Sequence, residues 1–149
     1  MSDHWSGVVY KCWIANPDGK IEPGVMLVEE TIEKHRSFSL PGGKQEQDET
    51  PAQTAERETF EESGYASIKL GKLLREQKED AKGGGFHMRY IFEMEQALKI
   101  RENSNTRFFP LARLPKKLRR RHKLALVSIF INYFMTQKKL RAQPLSAIA

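Results

Sequence analysis

Residues 43–65 read GKQEQDETPAQTAERETFEESGY, and both the fold and the chemistry expected of this chain start from that stretch. Thr50 has the side chain of an N-cap, Pro51 suits the first helical turn, and Gln53 completes a capping box. Gly64 suits the left-handed residue that ends a helix. Together these signals predict a helix from Pro51 to Ser63. Ala52, Ala55 and Thr59 give it a stripe of small residues that can lie close against a sheet. A helix turns once in ~3.6 residues, so Glu58, Glu61 and Glu62, at i, i+3 and i+4, share a face. Neighbouring carboxylates repel one another. A hard divalent cation, which takes carboxylate oxygens and keeps some waters, removes that conflict. A solvated Glu-rich surface helix is the competing reading. Just upstream, Pro41-Gly42-Gly43 forms a tight turn whose backbone can approach a ligand without Cβ obstruction.

The spacing is G-x5-E-x7-R-E-U-x-E-E-x-G-U, with U a bulky apolar residue. Gly43, Glu49, Arg57, Glu58, Glu61, Glu62, Gly64 and Tyr65 all fall on it. Here the chain resembles the Nudix hydrolase family, of the MutT-like kind, and Leu40-Pro41-Gly42-Gly43 resembles that family's lead-in. One position departs, because Thr59 stands where Ile, Leu or Val is commoner. The resemblance implies an α/β protein, a Nudix-type α/β/α sandwich with a mixed β-sheet. It also implies hydrolysis of a nucleoside diphosphate linked to another moiety, with Mg²⁺ or Mn²⁺ as cofactor. On that footing Glu58, Glu61 and Glu62 would hold the metal, with the Gly42 carbonyl as a backbone ligand. Arg57 would orient Glu49 through a bidentate ion pair. Glu61 or Glu62 would be available as general base, although many relatives recruit a later carboxylate. Where some relatives keep a glutamate, this chain reads Asn103-Ser104-Asn105-Thr106-Arg107. Glu76, Glu79, Asp80, Glu93 and Glu95 are further acidic residues, none selected by its spacing.

Outward from the box, strand signals cover Val8 to Ile14, Val25 to Glu30, Phe38 to Leu40, Ala66 to Leu74, Met88 to Met94 and Arg107 to Leu111. Asn16-Pro17-Asp18-Gly19 reads as a turn, and a long helix is expected over about 116–139. Strands and helices mixed in this way indicate a layered α/β domain. At 149 residues, one domain spanning 1–149 is expected. The single cysteine, Cys12, sits among apolar residues and reads as a buried, inert thiol. With no apolar segment after Met1 to mark a secretory signal, a cytoplasmic location is expected.

Charge is uneven along the chain. After Glu102 there are eleven Lys and Arg and no Asp or Glu, while the chain as a whole carries +6. The run Lys116-Lys117-Leu118-Arg119-Arg120-Arg121-His122-Lys123 suits a solvated helix end or a surface that steers polyanions. No aromatic residues interleave it, so RNA is a less favoured partner than a nucleotide-type small molecule. The apolar stretch from Leu124 to Met135 is too short to span a bilayer and has more than one apolar face. A core helix with a face left for a homodimer is expected from it. Gly83-Gly84-Gly85 reads as a flexible loop leading into Phe86-His87-Met88-Arg89. Phe86 could stack on a base, Arg89 could meet a phosphate, and Lys44 and Arg36 could add positive charge beside the glycine turn. A glycine hairpin with a packed aromatic is the plainer reading. His4, His35, His87 and His122 show no metal-ligand spacing. Two alternatives stand beside the hydrolase of small nucleotides: a Nudix-fold module that binds or senses without turnover, and a hydrolase of RNA 5′ ends or inositol pyrophosphates.

Overall fold

Continuous buried runs, Ser6–Val9 within residues 4–15 and Val25–Val28 within residues 21–32, mark two long strands at the centre of the sheet. The computed structural model describes residues 4–130. The chain falls into two compact units, Met1–Arg119 and Arg120–Ala149. The first holds β1 (His4–Ala15), β2 (Ile21–Ile32), β3 (His35–Ser39), β4 (Gly42–Lys44), α1 (Pro51–Ser63), β5 (Tyr65–Asp80), β6 (Phe86–Lys99) and β7 (Thr106–Pro110). A single 3-10 turn follows at Leu111–Arg113. In the second unit, residues 120–130 are helical.

The sheet runs β3-β2-β1-β6-β5, with β4 added to β1 and β7 to β2. It is mixed, because β1 and β6 are parallel while the other pairings are antiparallel. β1 changes partner along its length. Trp5–Gly7 pairs with β4 and Lys11–Ala15 with β2. Between them the Val8 N–H donates to the Pro41 carbonyl at 3.0 Å. This arrangement fixes the glycine turn to the middle of the sheet.

α1 lies on this sheet through its small residues. Ala55 packs with Val8, Met26 and Met94, and Tyr10, Tyr65, Leu70, Phe92 and Ala97 surround that cluster. Thr54, Ala55, Thr59 and Ser63 are the buried residues of the helix. Ala52, expected on the stripe, is only half-buried, and Thr54 takes the inward place.

Several strands outrun their sequence signals. β5 and β6 were expected to stop near Leu74 and to start near Met88. They continue to Asp80 and from Phe86, closed by a tip in which Gly83, Gly84 and Gly85 all have positive φ. Polar pairs hold this extension, including Arg89 Nε on Glu79 at 2.9 Å. The helix expected from about 116 starts at 120 instead. Leu118 bridges to Phe38, and the Arg119 N–H donates to the Phe38 carbonyl at 2.9 Å, so the backbone there is extended. Residues 131–139 of that expected helix lie outside the described residues. Cys12 is half-buried rather than fully enclosed, and burial raises its thiol pKa. Among the described residues, no helix is long and apolar enough to cross a membrane.

Candidate functional site

The helix that carries the carboxylates forms with the ends that its sequence calls for. Gln53 N–H donates to Thr50 Oγ1 at 3.2 Å, and Thr50 N–H donates to Gln53 Oε1 at 2.9 Å, closing the capping box. At the other end Gly64 has φ 79 and its N–H donates to the Phe60 carbonyl at 2.9 Å. With both ends fixed, the side chains of the last two turns have set directions.

β4 addresses those side chains one residue at a time. The Gly42 N–H donates to Glu62 Oε1 at 3.1 Å. Gly43 abuts Glu58, since a Cβ there would come within 2.5 and 2.7 Å of the carboxylate oxygens. The Lys44 carbonyl accepts from Arg57 Nη2 at 3.1 Å. β4 is held for this purpose by its pairing with β1 and by the Gln45 N–H on the His4 carbonyl at 2.9 Å.

Arg57 is the centre of the cluster. Its Nε donates to Glu49 Oε2 at 2.7 Å and its Nη2 to Glu49 Oε1 at 2.9 Å, forming the expected bidentate pair. Its Nη1 donates to Glu58 Oε1 at 3.0 Å and Glu61 Oε2 at 3.2 Å. Hydrogen bonding from Arg57 holds the Glu49 carboxyl at about 2, well below its ordinary 4.5, with Glu46 N–H and Thr54 adding to the effect. Arg57 is in turn held firmly protonated, chiefly by Glu49. Glu62 behaves oppositely. Burial pushes its carboxyl up to about 7, Glu58 and Glu30 reinforce this by repulsion, and the Gly42 N–H and Arg119 oppose it.

Glu58 and Glu61 thus converge on one positive centre, while Glu62 turns toward Gly42. Their oxygens are the donors a hard divalent cation takes. Among the described residues, no three His, Cys, Asp or Glu side chains converge closely enough to form a finished metal site. The donor chemistry fits a cation; the gathering around it is incomplete, with the Arg57 Nη1 standing where two of the carboxylates meet.

The candidate substrate residues divide. Lys44 pairs in register with Trp5, and Trp5 with Arg89, so the three share one face of adjacent strands. The Arg89 guanidinium lies 5.4 Å over the Trp5 ring and pairs with Glu79. Phe86 is three residues away on the same strand as Arg89, which puts it on the opposite face, at the glycine tip under Lys78. Phe86 is 40% exposed there. Arg36 pairs with Glu29 on β2. Of the later carboxylates, Glu79 pairs with Arg89, Glu93 with Lys11 and Glu95 with Lys69, all along β1, β5 and β6.

Two residues that bear on Glu62 were not signalled by the sequence. Arg119 Nη2 donates to Glu30 Oε2 at 2.6 Å, and both act on the Glu62 carboxyl. Glu30 is a plain strand residue and Arg119 one cation in a run, so only the pairing of β3 with residue 118 brings them together.

Known proteins agree with this architecture. The MutT NUDIX hydrolase from Burkholderia pseudomallei superposes with a TM-score of 0.62 at 22% identity, over 85% of this chain and 96% of that one. The Ap4A hydrolase of C. elegans gives 0.60 at 21% identity, over 90% and 99%. The NUDIX domain of Shewanella oneidensis NrtR, complexed with ADP ribose, gives 0.61 at 18% identity, over 90% and 89%. No curated protein matches. With the NUDIX domain family model matching residues 5–127, most of its length, the chain belongs to that family.

Proposed function

We propose that this protein is a divalent-metal-dependent pyrophosphohydrolase that cleaves a phosphoanhydride in a nucleoside diphosphate linked to another moiety. Nucleoside triphosphates, nucleotide sugars, ADP-ribose and dinucleoside polyphosphates are the candidate substrates. The observation that carries this reading is the Arg57-centred cluster, in which Glu58 and Glu61 meet one Nη1 at 3.0 and 3.2 Å. Structural neighbours described as an Ap4A hydrolase and as a domain complexed with ADP ribose support the choice of substrates.

Glu58, Glu61, Glu62 and the Gly42 carbonyl would hold Mg²⁺ or Mn²⁺. When bound, the ion neutralises phosphate charge and lowers the pKa of water. Arg57 and Glu49 stiffen the glycine loop against α1, so the carboxylates keep their orientation. Glu62, with Oε1 on the Gly42 N–H, is the box carboxylate that would take the proton of an attacking water. Water then adds to phosphorus, the bridging P–O bond breaks, and the leaving phosphate carries its electron pair away. Lys44 and Arg89, on a shared sheet face, supply positive charge toward the phosphates.

A second reading, a module that binds a nucleotide without turnover, is favoured by one feature. Where some relatives keep a later glutamate, residues 103–107 read Asn-Ser-Asn-Thr-Arg and offer no carboxylate. A panel of candidate nucleotides, incubated with Mg²⁺ or Mn²⁺ and analysed by mass, separates the two. The hydrolase reading expects one substrate class to be cleaved by the wild type and spared by Glu61→Gln. Nucleotide binding without cleavage across the panel would move the binding module to first place. A homodimer and a cytoplasmic location remain parts of this proposal, to be read from sedimentation and from cell fractionation.

A further inference from the structure

The five carbonyls from Phe60 to Gly64 all accept hydrogen bonds from residues 100–106. Arg101 Nη2 donates to the Phe60 carbonyl at 3.3 Å and the Glu61 carbonyl at 2.7 Å. Asn103 Nδ2 donates to the Glu62 carbonyl at 2.6 Å, and Thr106 Oγ1 to the Ser63 carbonyl at 3.0 Å. The Ile100 N–H donates to the Gly64 carbonyl at 2.9 Å. The last carbonyls of a helix lack donors of their own, and water or a glycine turn usually serves them. The glycine turn of α1 serves only the Phe60 carbonyl, through the Gly64 N–H, so the Glu61, Glu62 and Ser63 carbonyls depend on the side chains of Arg101, Asn103 and Thr106.

The clasp is itself anchored. The Glu29 N–H donates to the Asn105 carbonyl at 2.8 Å, and β7 continues from Thr106 along β2. Asn103 is held by the Asn105 N–H on its Oδ1 at 3.0 Å and by the Thr106 N–H on its carbonyl at 3.2 Å. Arg101 stacks 4.9 Å over the Phe60 ring and sets a positive charge at the negative end of the helix dipole. Its close approach requires the glycine at 64, where a Cβ would collide with the Arg101 carbonyl oxygen. The bonds meet the backbone of Glu61 and Glu62 themselves, two of the residues whose carboxylates define the site.

We propose that Arg101, Asn103 and Thr106 are positioning residues that tie the last turn of α1 to the sheet and keep the Glu61 and Glu62 carboxylates in register with β4. The segment in which some relatives keep an acidic residue would then serve this chain through its amides and hydroxyls. This inference rests on the proposed function, since it assigns these residues to the same carboxylate site. Loss of a cap that merely stabilises would lower the melting temperature and nothing else. A positioning role also moves metal affinity and kcat, because small displacements of reacting groups are costly.

The test uses the full chain with Asn103→Ala, Thr106→Val and the conservative Thr106→Ser, measured well below each melting temperature. Mn²⁺ binding alone is read by calorimetry, and kcat and KM on the substrate that the nucleotide panel identifies. Asn103→Ala and Thr106→Val are expected to weaken Mn²⁺ binding about fivefold and to lower kcat about tenfold or more, with KM within about twofold. Thr106→Ser should stay close to wild type. Unchanged Mn²⁺ affinity and kcat in Thr106→Val, with only a lower melting temperature, would overturn the inference while leaving the hydrolase standing. Should Asn103→Ala not fold, Thr106→Val and its serine partner still decide the matter. A wild-type chain that binds no Mn²⁺ refutes the proposed function, and the inference falls with it.

Discussion

Gly43→Ala adds one methyl group to the middle of β4 and separates function from folding more cleanly than any charge change. A Cβ at this position would lie 2.5 and 2.7 Å from the two Glu58 carboxylate oxygens, where ordinary contact begins at 3.4 Å. The nearest atom, the carboxyl carbon Cδ at 2.3 Å, must therefore withdraw by about 1.1 Å, the difference between 3.4 and 2.3 Å. What moves is the end of a flexible side chain, and Gly43 is not among the residues with positive φ. Alanine also loses less chain entropy than glycine on folding, so stability should stay within about 1 kcal/mol, or roughly 3 °C in melting temperature. The reaction should suffer far more. A misplacement near 1 Å costs on the order of 100-fold in rate. The assay is kcat with saturating Mg²⁺ beside a thermal melt of the same sample. In a Glu58→Asp background, whose shorter side chain clears the methyl group, the added cost should shrink. A Gly43→Ala protein that melts like wild type and turns over within about threefold of it would refute the link between the glycine turn and Glu58.

Three other perturbations follow from the same contacts. Glu49→Gln removes the anionic half of the bidentate pair and should destabilise the metal-free protein by about 2 kcal/mol at neutral pH, seen by thermal melting. Because Arg57 holds Glu49 at about 2 instead of 4.5, wild type should keep that advantage in full above about pH 4.5 and lose it as pH falls through about 2. An advantage that grows on acidification would contradict this. Thr59→Val should raise stability by about 1 kcal/mol with kcat unchanged, because Thr59 Oγ1 is buried without a hydrogen-bond partner. Replacing Glu33 and Lys34 by Asn and Gly should raise the melting temperature by about 3 °C, since both now sit at positive φ, 49 and 69, in the two-residue turn between β2 and β3. A lower melting temperature there would count against the turn geometry.

What could be read from the sequence was mostly local. The capping residues Thr50, Gln53 and Gly64 act within a few positions of themselves, and the helix they bound runs from Pro51 to Ser63 as expected. The same locality explains the Arg57–Glu49 pair, whose partners are joined by the helix start between them. Long-range pairing was less accessible. β4 is three residues of Gly-Gly-Lys with no strand propensity, and it exists because β1 offers an edge at Trp5–Gly7. The polar halves of β5 and β6 carry no apolar alternation, yet cross-strand pairing extends them to the glycine tip. Arg119 joins Glu30 beside Glu62 because residue 118 adds to β3, a contact between positions far apart in the chain. The clasp of residues 100–106 escaped for a similar reason. Asn103 and Thr106 look like ordinary loop polarity until their donors are set against the carbonyls of a helix some forty residues earlier.

The central claim is that the carboxylates around Arg57 act with a divalent cation on a phosphoanhydride. Its most direct test is to titrate Mg²⁺ and Mn²⁺ against product formation in wild type and in Glu61→Gln, on each class of the nucleotide panel, with products weighed by mass. The account predicts turnover that requires the cation, yields two phosphorylated products from one substrate class, and falls by orders of magnitude in the variant. Equal turnover by Glu61→Gln, or turnover that persists in excess chelator, would contradict it.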